Sequence, residues 1–84
     1  MRVSVISAER SVFDGEATAV VAPAYDGLVG ILPRHAPFMT LLGKGVVKIR
    51  RSEGTKTIAV SGGFLQVASD VVRVVARSAS TTGS

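Results

Sequence analysis

FLQVASDVVRVVAR, residues 64 to 77, is the most informative stretch of this chain for fold class. Apolar and polar residues alternate in its second half, where Arg73 separates Val72 from Val74. Alternation with a period of two indicates a half-buried β-strand, and β-branched residues favour that structure. The two apolar runs are separated only by Ser69-Asp70, which is the loop length of a tight hairpin. The stretch therefore predicts two antiparallel strands.

The same period continues in the rest of the chain. RVSVIS, EATAVVAP, GLVGIL, VVKIR and TIAV each read as short strands, and residues 52–55 form a turn signal between the last two. No segment keeps apolar residues at helical spacing for the roughly 10 residues that a helix needs. A helical tendency is confined to residues 37–42, at most a single turn. Seven or more short strands with glycine-rich corners predict an all-β domain, either a sandwich or a closed barrel.

Length and composition narrow the class of protein further. The chain has 84 residues and no cysteine, so it is one domain and not a disulfide-stapled secreted scaffold. RVSVIS lacks the basic start and apolar core of a signal peptide, and no segment approaches the roughly 20 apolar residues that cross a bilayer. We expect a soluble domain over residues 1–77 and a disordered tail over the small, polar residues 78–84.

Positive charge is concentrated between residues 44 and 56. This basic strip sets five basic residues against Glu53: Lys44, Lys48, Arg50, Arg51 and Lys56. Such a strip favours an acidic partner, a nucleic acid or an anionic lipid surface. It is also typical of the solvated face of a strand, whose long side chains cover apolar neighbours.

Residues that could carry catalysis or hold a metal are sparse. Nucleophilic hydrolysis needs a base, and His35 is the only histidine. A metal site draws on several ligands, whereas this chain has one histidine and six dispersed acids. Asp14 and Gly15 read as a turn rather than as part of an acid pair with Glu16. GLVG and SGGF lack the lysine of a phosphate loop. The sequence predicts no catalytic, cofactor or metal site.

Nucleic-acid binding is the alternative that these observations leave open. Small β-barrels bind single strands through basic grooves and exposed aromatic rings. The aromatic residues all lie outside the basic strip: Phe13, Tyr25, Phe38 and Phe64. The strip offers charge without stacking platforms, so a small basic barrel that binds single-stranded nucleic acid is the second hypothesis.

Three sequence blocks carry a resemblance to a known family. DGLVGILPRHAP, LGKGVVKI and SGGFLQV follow one another between residues 26 and 67. With SAERSVFDGEATAVVAPAY before them, they closely resemble the amino-terminal domain of the epsilon subunit of F-type ATP synthase, over nearly all of residues 3–77. The resemblance implies a flattened sandwich of two mainly antiparallel sheets, with about ten short strands and no long helix.

The resemblance also implies a rotor role without bond chemistry. In the family this domain lies at the foot of the central stalk, contacts the gamma subunit and the membrane-embedded c-ring, and turns with them as proton flow drives ATP synthesis. The implied partners are the gamma subunit and the c-ring, with no nucleic acid and no cofactor. The implied location is the cytoplasmic face of the bacterial plasma membrane, reached only through the complex.

Site residues follow from the resemblance position by position. The loop that faces the c-ring corresponds to Asp26, Gly27 and Leu28. The positions that face gamma correspond to Ser7, His35 and Thr40. His35 is also read as a residue that caps a turn through a hydrogen bond with the backbone.

The chain departs from the family pattern in three ways. Leu28 stands where many relatives have an acidic residue, which removes one charge pair with the c-ring loop. Arg34 stands where glycine is common. The sequence ends seven residues after Arg77, whereas family members continue into a two-helix hairpin that in some bacteria binds ATP and can inhibit hydrolysis. We therefore expect this chain neither to bind ATP nor to inhibit hydrolysis by that route.

Overall fold

Eight β-strands make up most of the molecule. The computed structural model describes residues 1–8 and 10–81, and no helix occurs among them. The strands are β1 (Arg2–Ser7), β2 (Arg10–Glu16), β3 (Ala19–Ala24), β4 (Gly27–Ile31), β5 (Phe38–Leu41), β6 (Gly45–Arg51), β7 (Gly54–Ala68) and β8 (Val71–Thr81).

The strands form one sheet that folds over on itself into two layers. Its order is β2-β1-β8-β7-β6-β3-β4, and β5 pairs with β7 outside this path. One side of β7 pairs with β8, whereas its other side pairs first with β6 through residues 54–60 and then with β5 through residues 64–67. The first layer is therefore β2-β1-β8-β7-β5, and the second is β8-β7-β6-β3-β4.

This arrangement confirms the predicted all-β sandwich. The two long strands, β7 and β8, belong to both layers, so that eight strands supply ten strand segments, five in each layer. β2, β4 and β5 are edge strands, so the sheet is not closed into a barrel within the described residues. Pairing is antiparallel except between β1 and β8, which run parallel.

The core lies between the layers and follows the alternation of the sequence. Val3 and Val5 of β1 have no exposed surface, and neither has Leu65 of β7 in the same layer. The second layer contributes Ile49 and Ile58, which are equally buried and belong to the same apolar cluster. Burying a side chain of this size contributes about 1.5–3 kcal/mol, so the inward-facing positions hold the layers together.

β7 bends at Gly62 and Gly63, where it passes from one layer to the other. Their φ angles are 70° and 110°, in the left-handed region that L side chains rarely adopt. A Cβ atom on Gly63 would collide with the carbonyl oxygen of Val75 on β8. Glycine at position 63 therefore lets β7 and β8 stay paired through the corner.

Both predicted hairpins are present. β6 and β7 are joined by Ser52 and Glu53. β7 and β8 are joined by Ser69 and Asp70, whose φ angles of 52° and 61° match the turn type that follows the twist of a hairpin. The backbone N–H of Arg34 donates to Asp70 Oδ1 at 2.9 Å, which ties the loop between β4 and β5 to this turn.

Three local predictions are wrong. Asp14 and Gly15 lie within β2 rather than in a turn, because β2 pairs with β1 as far as Glu16. Residues 37–42 contain strand β5 rather than a helical turn, because β7 offers an edge with which they pair. The predicted tail begins too early: residues 78–81 extend β8 against residues 58–61 of β7, since a ladder of backbone hydrogen bonds needs no large apolar side chain. Residues 82–84 of that predicted tail lie outside the described residues.

Candidate docking surfaces

The outer side of the first layer carries a row of apolar side chains. Residues paired across neighbouring strands point to the same side of a sheet, so the register defines the row. Leu41 of β5 lies opposite Phe64 of β7, which lies opposite Val75 of β8. Val75 in turn lies opposite Ile6 of β1. This apolar row crosses four strands, a span of roughly 14 Å at the usual spacing between strands.

The apolar row faces solvent rather than the core. Leu41 is 62% exposed, and so is Met39 two residues before it on the same strand. Ile6, Phe64 and Val75 are half-buried. A contiguous exposed apolar patch on a small domain is typical of a surface that binds another protein.

A polar row borders the apolar row on the same side of the layer. Gln66, Arg73 and Ser4 lie opposite one another on β7, β8 and β1. Farther along, the Arg2 Nε donates a hydrogen bond to Asp14 Oδ1 at 3.0 Å. This hydrogen bond and the charge of Asp14 raise the pKa of Arg2. The surface thus has an apolar centre with a polar border, which is the usual anatomy of a protein interface.

Ser7 does not lie on this outer surface. It ends β1 opposite Ala76 and is only 9% exposed. Because successive residues of a strand point to opposite sides, Ser7 points inward while its neighbour Ile6 points outward. The structure therefore places the predicted contact residue beneath the apolar row rather than in it.

Thr40 lies on the inner side of the first layer, and His35 lies in the loop that precedes β5. Thr40 is half-buried on β5 opposite Leu65, so it points inward at the edge of the sandwich. His35 Nδ1 is 2.7 Å from the carbonyl oxygen of Ala36, and its ring centroid is 5.0 Å from that of Phe38. A carbonyl oxygen only accepts, so Nδ1 donates, as the capping interpretation of His35 expects.

The structure does not bring Ser7, His35 and Thr40 into one cluster. The loop of His35 is tied through Arg34 to Asp70, and the Asp70 carbonyl also accepts from the first residue of β1. Ser7 is at the opposite end of β1, roughly 17 Å away along the strand. Thr40 is separated from β1 by β8 and β7. A shared role for these three residues is a prediction from the resemblance.

Asp26, Gly27 and Leu28 do lie together: Asp26 is in the exposed turn between β3 and β4, and Gly27 and Leu28 are the first two residues of β4. Leu28 is 76% exposed, and Tyr25 in the turn is 71% exposed. The Tyr25 N–H donates to the carbonyl of Leu41 at 3.1 Å, which fixes the turn beside one end of the apolar row. Gly27 has a φ of 136°, a conformation that favours glycine. The turn presents its side chains from a well-anchored backbone.

Sequence reasoning missed the apolar row, although a signal for it is present. Ile6, Phe64 and Val75 each break the alternation of their strands by adding an apolar residue at an outward position. A strand that is apolar on both sides is typical of one that is covered on both sides. The sequence alone does not show that these positions on three strands are aligned, because only the register does so.

Among residues 1–8 and 10–81, no group of three or more His, Cys, Asp or Glu residues is arranged to hold a metal ion. In the same part of the chain, no helix is long and apolar enough to cross a membrane.

Comparison with known sequences gives one consistent family. The model of the β-sandwich domain of the ATP synthase delta/epsilon chain matches residues 1–82. The ATP synthase epsilon chain of Leptospira borgpetersenii is 44% identical over 75 residues, which cover 89% of this chain and 59% of the relative. That of Dehalococcoides mccartyi is 46% identical over 79 residues, which cover 94% of this chain and 56% of the relative. This chain thus spans somewhat more than half the length of these curated relatives.

Two solved assemblies contain a chain of similar fold. One is the cryo-EM structure of the Euglena gracilis mitochondrial ATP synthase (OSCP/F1/c-ring), with a TM-score of 0.86, 21% identity, and coverage of 94% of this chain and 51% of that chain. The other is the central stalk and c-ring of the Tetrahymena thermophila mitochondrial ATP synthase, with a TM-score of 0.74, 16% identity, and coverage of 93% and 63%. At these identities the similarity shows a shared fold.

Proposed function

Because this chain belongs to the β-sandwich family of the ATP synthase delta/epsilon chain, we propose that it is a non-catalytic central-stalk subunit of an F-type ATP synthase. In this role it links the gamma subunit to the c-ring and turns with both. It thereby couples proton flow to ATP synthesis without making or breaking a bond itself. The names of its relatives, and the assemblies in which similar folds occur, support a place in this complex.

The apolar row is the observation that carries the gamma contact. It lies in the middle of the first layer, where β8 and the second half of β7 are paired on both sides. A partner therefore binds it through side chains rather than by adding a strand. Each large apolar side chain that becomes fully buried contributes about 1.5–3 kcal/mol, less the cost of ordering the interface. Leu41 has the most surface left to bury, and the half-buried Ile6, Phe64 and Val75 extend the apolar contact across the layer.

The turn between β3 and β4 is the proposed contact with the c-ring. Asp26 in this turn, and Gly27 and Leu28 at the start of β4, are all exposed and lie at one end of the sandwich. Leu28 carries no charge for a basic c-ring loop, but Asp26 keeps a carboxylate two residues away. The proposed c-ring contact lies beside one end of the apolar row and shares no residue with it, so one domain can bind both partners at once. In the proposed role, the protein lies at the cytoplasmic face of a bacterial plasma membrane and is held there through the complex.

Titration against two partners tests the proposal. The chain is titrated with the gamma subunit of the same organism by calorimetry, and with a labelled single-stranded oligonucleotide by fluorescence anisotropy. We expect saturable binding to gamma and none to the oligonucleotide. Tight, salt-sensitive oligonucleotide binding without gamma binding would replace this proposal with the alternative of a nucleic-acid-binding domain, because phosphate contacts weaken steeply with salt.

A further inference from the structure

The outer side of the second layer carries a groove that belongs to neither proposed contact. Lys48 and Arg50 of β6 point outward. They alternate along the strand with Val47 and Ile49, which are buried. Residues of β7 lie opposite them on one side and residues of β3 on the other. This basic groove has a volume of about 540 Å³ and is lined by Ala19, Val21, Lys48, Arg50, Thr55 and Thr57.

The geometry of the basic groove follows from the sheet. Lys48 and Arg50 are two residues apart on one strand, so their attachment points are roughly 7 Å apart. Thr57 lies opposite Lys48 and Thr55 opposite Arg50, each about 5 Å across the ladder. Ala19, on the far side of Arg50, is small. Two long cationic side chains thus stand over a hollow formed by short residues.

The positive charge of the basic groove is uncompensated within the described part of the chain. Arg51, the next residue of the basic strip, forms an ion pair with Glu53 at 3.5 Å and lies 5.7 Å from the ring centre of Phe13. Lys48 and Arg50 have no such ion pair among the described residues. No outward-facing position on the described strands of the second layer is acidic. Within the basic strip, Arg51 is thus paired with an acid, whereas Lys48 and Arg50 form a cationic pair without an acidic partner among the described residues.

We propose that the basic groove binds an acidic segment of a partner protein. Carboxylates two residues apart on an extended segment repeat the spacing of Lys48 and Arg50, and those four apart on a helix come close to it. The hydroxyl of Thr55 adds a donor beside Arg50. Val21 and Val46, 36% and 38% exposed, provide apolar contacts beside the cations. β6 is paired on both sides here, so the segment binds through side chains.

The observations favour an acidic protein segment over a nucleic acid. Bases bind without sequence preference by stacking on aromatic rings. Phe13 and Phe38 pack against the core, and Phe64 lies on the outer side of the other layer. Tyr25 lies in the β3–β4 turn, roughly 13 Å along β3 from Val21. The basic groove thus offers a carboxylate its charge partners and offers a base no platform.

The experiment measures binding of an acidic peptide to the full 84-residue chain. The probe is a fluorescein-labelled peptide of alternating glutamate and alanine, followed by fluorescence anisotropy at about 50 mM salt. We expect saturable binding that the double variant Lys48→Glu/Arg50→Glu weakens at least about tenfold. The matched control is Arg10→Glu/Lys44→Glu, which makes the same change in net charge at two exposed positions outside the groove and changes the affinity less than about twofold.

Three results would overturn the inference. Equal weakening by the control variant would show that net charge rather than the groove binds the peptide. A control peptide of the same length, with glutamine in place of each glutamate, should bind much more weakly; equally tight binding of this peptide would remove the role of the carboxylates. If a short oligothymidine bound more tightly than the acidic peptide, and if the groove variant abolished that binding, the site would be assigned to nucleic acid. The inference does not rest on the proposed rotor role, because gamma is absent from all of these measurements.

Discussion

Gly63 lies where β7 passes between the layers, and the structure predicts that its replacement is strongly destabilising. In Gly63→Ala, the new Cβ meets the carbonyl of Val75 and lies 2.9 Å from the Cα of Ala76, at a φ that already disfavours a side chain. Because the obstacle is backbone, it cannot move aside without breaking the pairing of β7 and β8. We expect a loss of about 3 kcal/mol or more in the free energy of unfolding, measured by urea denaturation.

Gly30→Ala is the matched control for this prediction. Gly30 is also a strand glycine, but a Cβ there would meet nothing within 4 Å, and its backbone is not in the left-handed region. The change should be neutral or stabilising by up to about 1 kcal/mol, because alanine restricts the unfolded chain. If both variants were equally destabilised, the corner would not be the cause.

His35 is the residue for which capping and contact can be separated. Glutamate at this position cannot donate to the carbonyl of Ala36, so His35→Glu should cost the fold about 1 kcal/mol. If His35 also contacts gamma, the added charge should weaken gamma binding about tenfold, measured by calorimetry. His35→Gln keeps a donor and is the control for the hydrogen bond. Wild-type gamma affinity in His35→Glu would remove this residue from the contact.

Arg34, which departs from the family pattern, adopts an unusual backbone conformation. Its φ is 66°, in the left-handed region, where glycine is the residue with least strain. The strain is opposed by the hydrogen bond from its own N–H to Asp70. The side chain is exposed, so its bulk is accommodated in solvent rather than in the sandwich.

The apolar row yields a prediction about β8. In Val75→Lys, a charge is placed at the centre of the row on a half-buried, outward-facing residue. The long side chain can reach solvent, so the fold should survive, whereas burying the charge against gamma should weaken binding at least about tenfold. Calorimetric titration with gamma measures the change.

Ser80→Lys is the matched control for Val75→Lys. It adds the same charge to the same strand at an exposed position in the second layer. Gamma affinity should stay within about twofold of the wild-type value. Loss of affinity in the control, or its retention in Val75→Lys, would show that gamma does not bind the outer side of the first layer.

At the turn between β3 and β4 and the start of β4, a substitution should change c-ring binding and leave gamma binding unchanged. Leu28→Glu introduces an acidic side chain beside Asp26, at a position that is 76% exposed. We expect stronger, salt-sensitive association with c-ring-containing membranes and no change in gamma affinity. Leu28→Gln is the control for polarity without charge. Changed gamma affinity in Leu28→Glu would show that the two contacts are not separate.

Most strands and both hairpins were predictable from the sequence, whereas the remaining strand pairings were not. The inward-facing residues of β1, β6, β7 and β8 alternate clearly, and two-residue turns flank β7. β5 has no such signal, because its four residues are apolar at three positions and become a strand only against β7. The apolar row likewise depends on the register of four strands. Local sequence fixes which way each residue points relative to its neighbours, but not which strand lies beside it.

The whole molecule measures only 27 × 26 × 23 Å, yet it presents three separate surfaces. The apolar row lies on the outer side of one layer, the basic groove on the outer side of the other, and the β3–β4 turn at one end. A sandwich allows this because its core uses only the inner sides of the two layers. Each outer side is then free to evolve for a different partner without disturbing the core.

The hairpin of β7 and β8 makes the two layers one cooperative unit. Both strands run through both layers, so neither layer keeps its complete set of strands if the other unfolds.

Leu65→Ala in the first layer and Ile58→Ala in the second should each lower the free energy of unfolding by about 2–5 kcal/mol, since both side chains are fully buried on β7. The two variants should shift a single urea transition, and amide exchange should be faster by one common factor in β1 and in β6. Lys44→Ala, at an exposed loop position, should leave the transition in place. If Leu65→Ala accelerated exchange in β1 but left β6 protected, the layers would unfold separately, and the shared hairpin would not transmit stability between them.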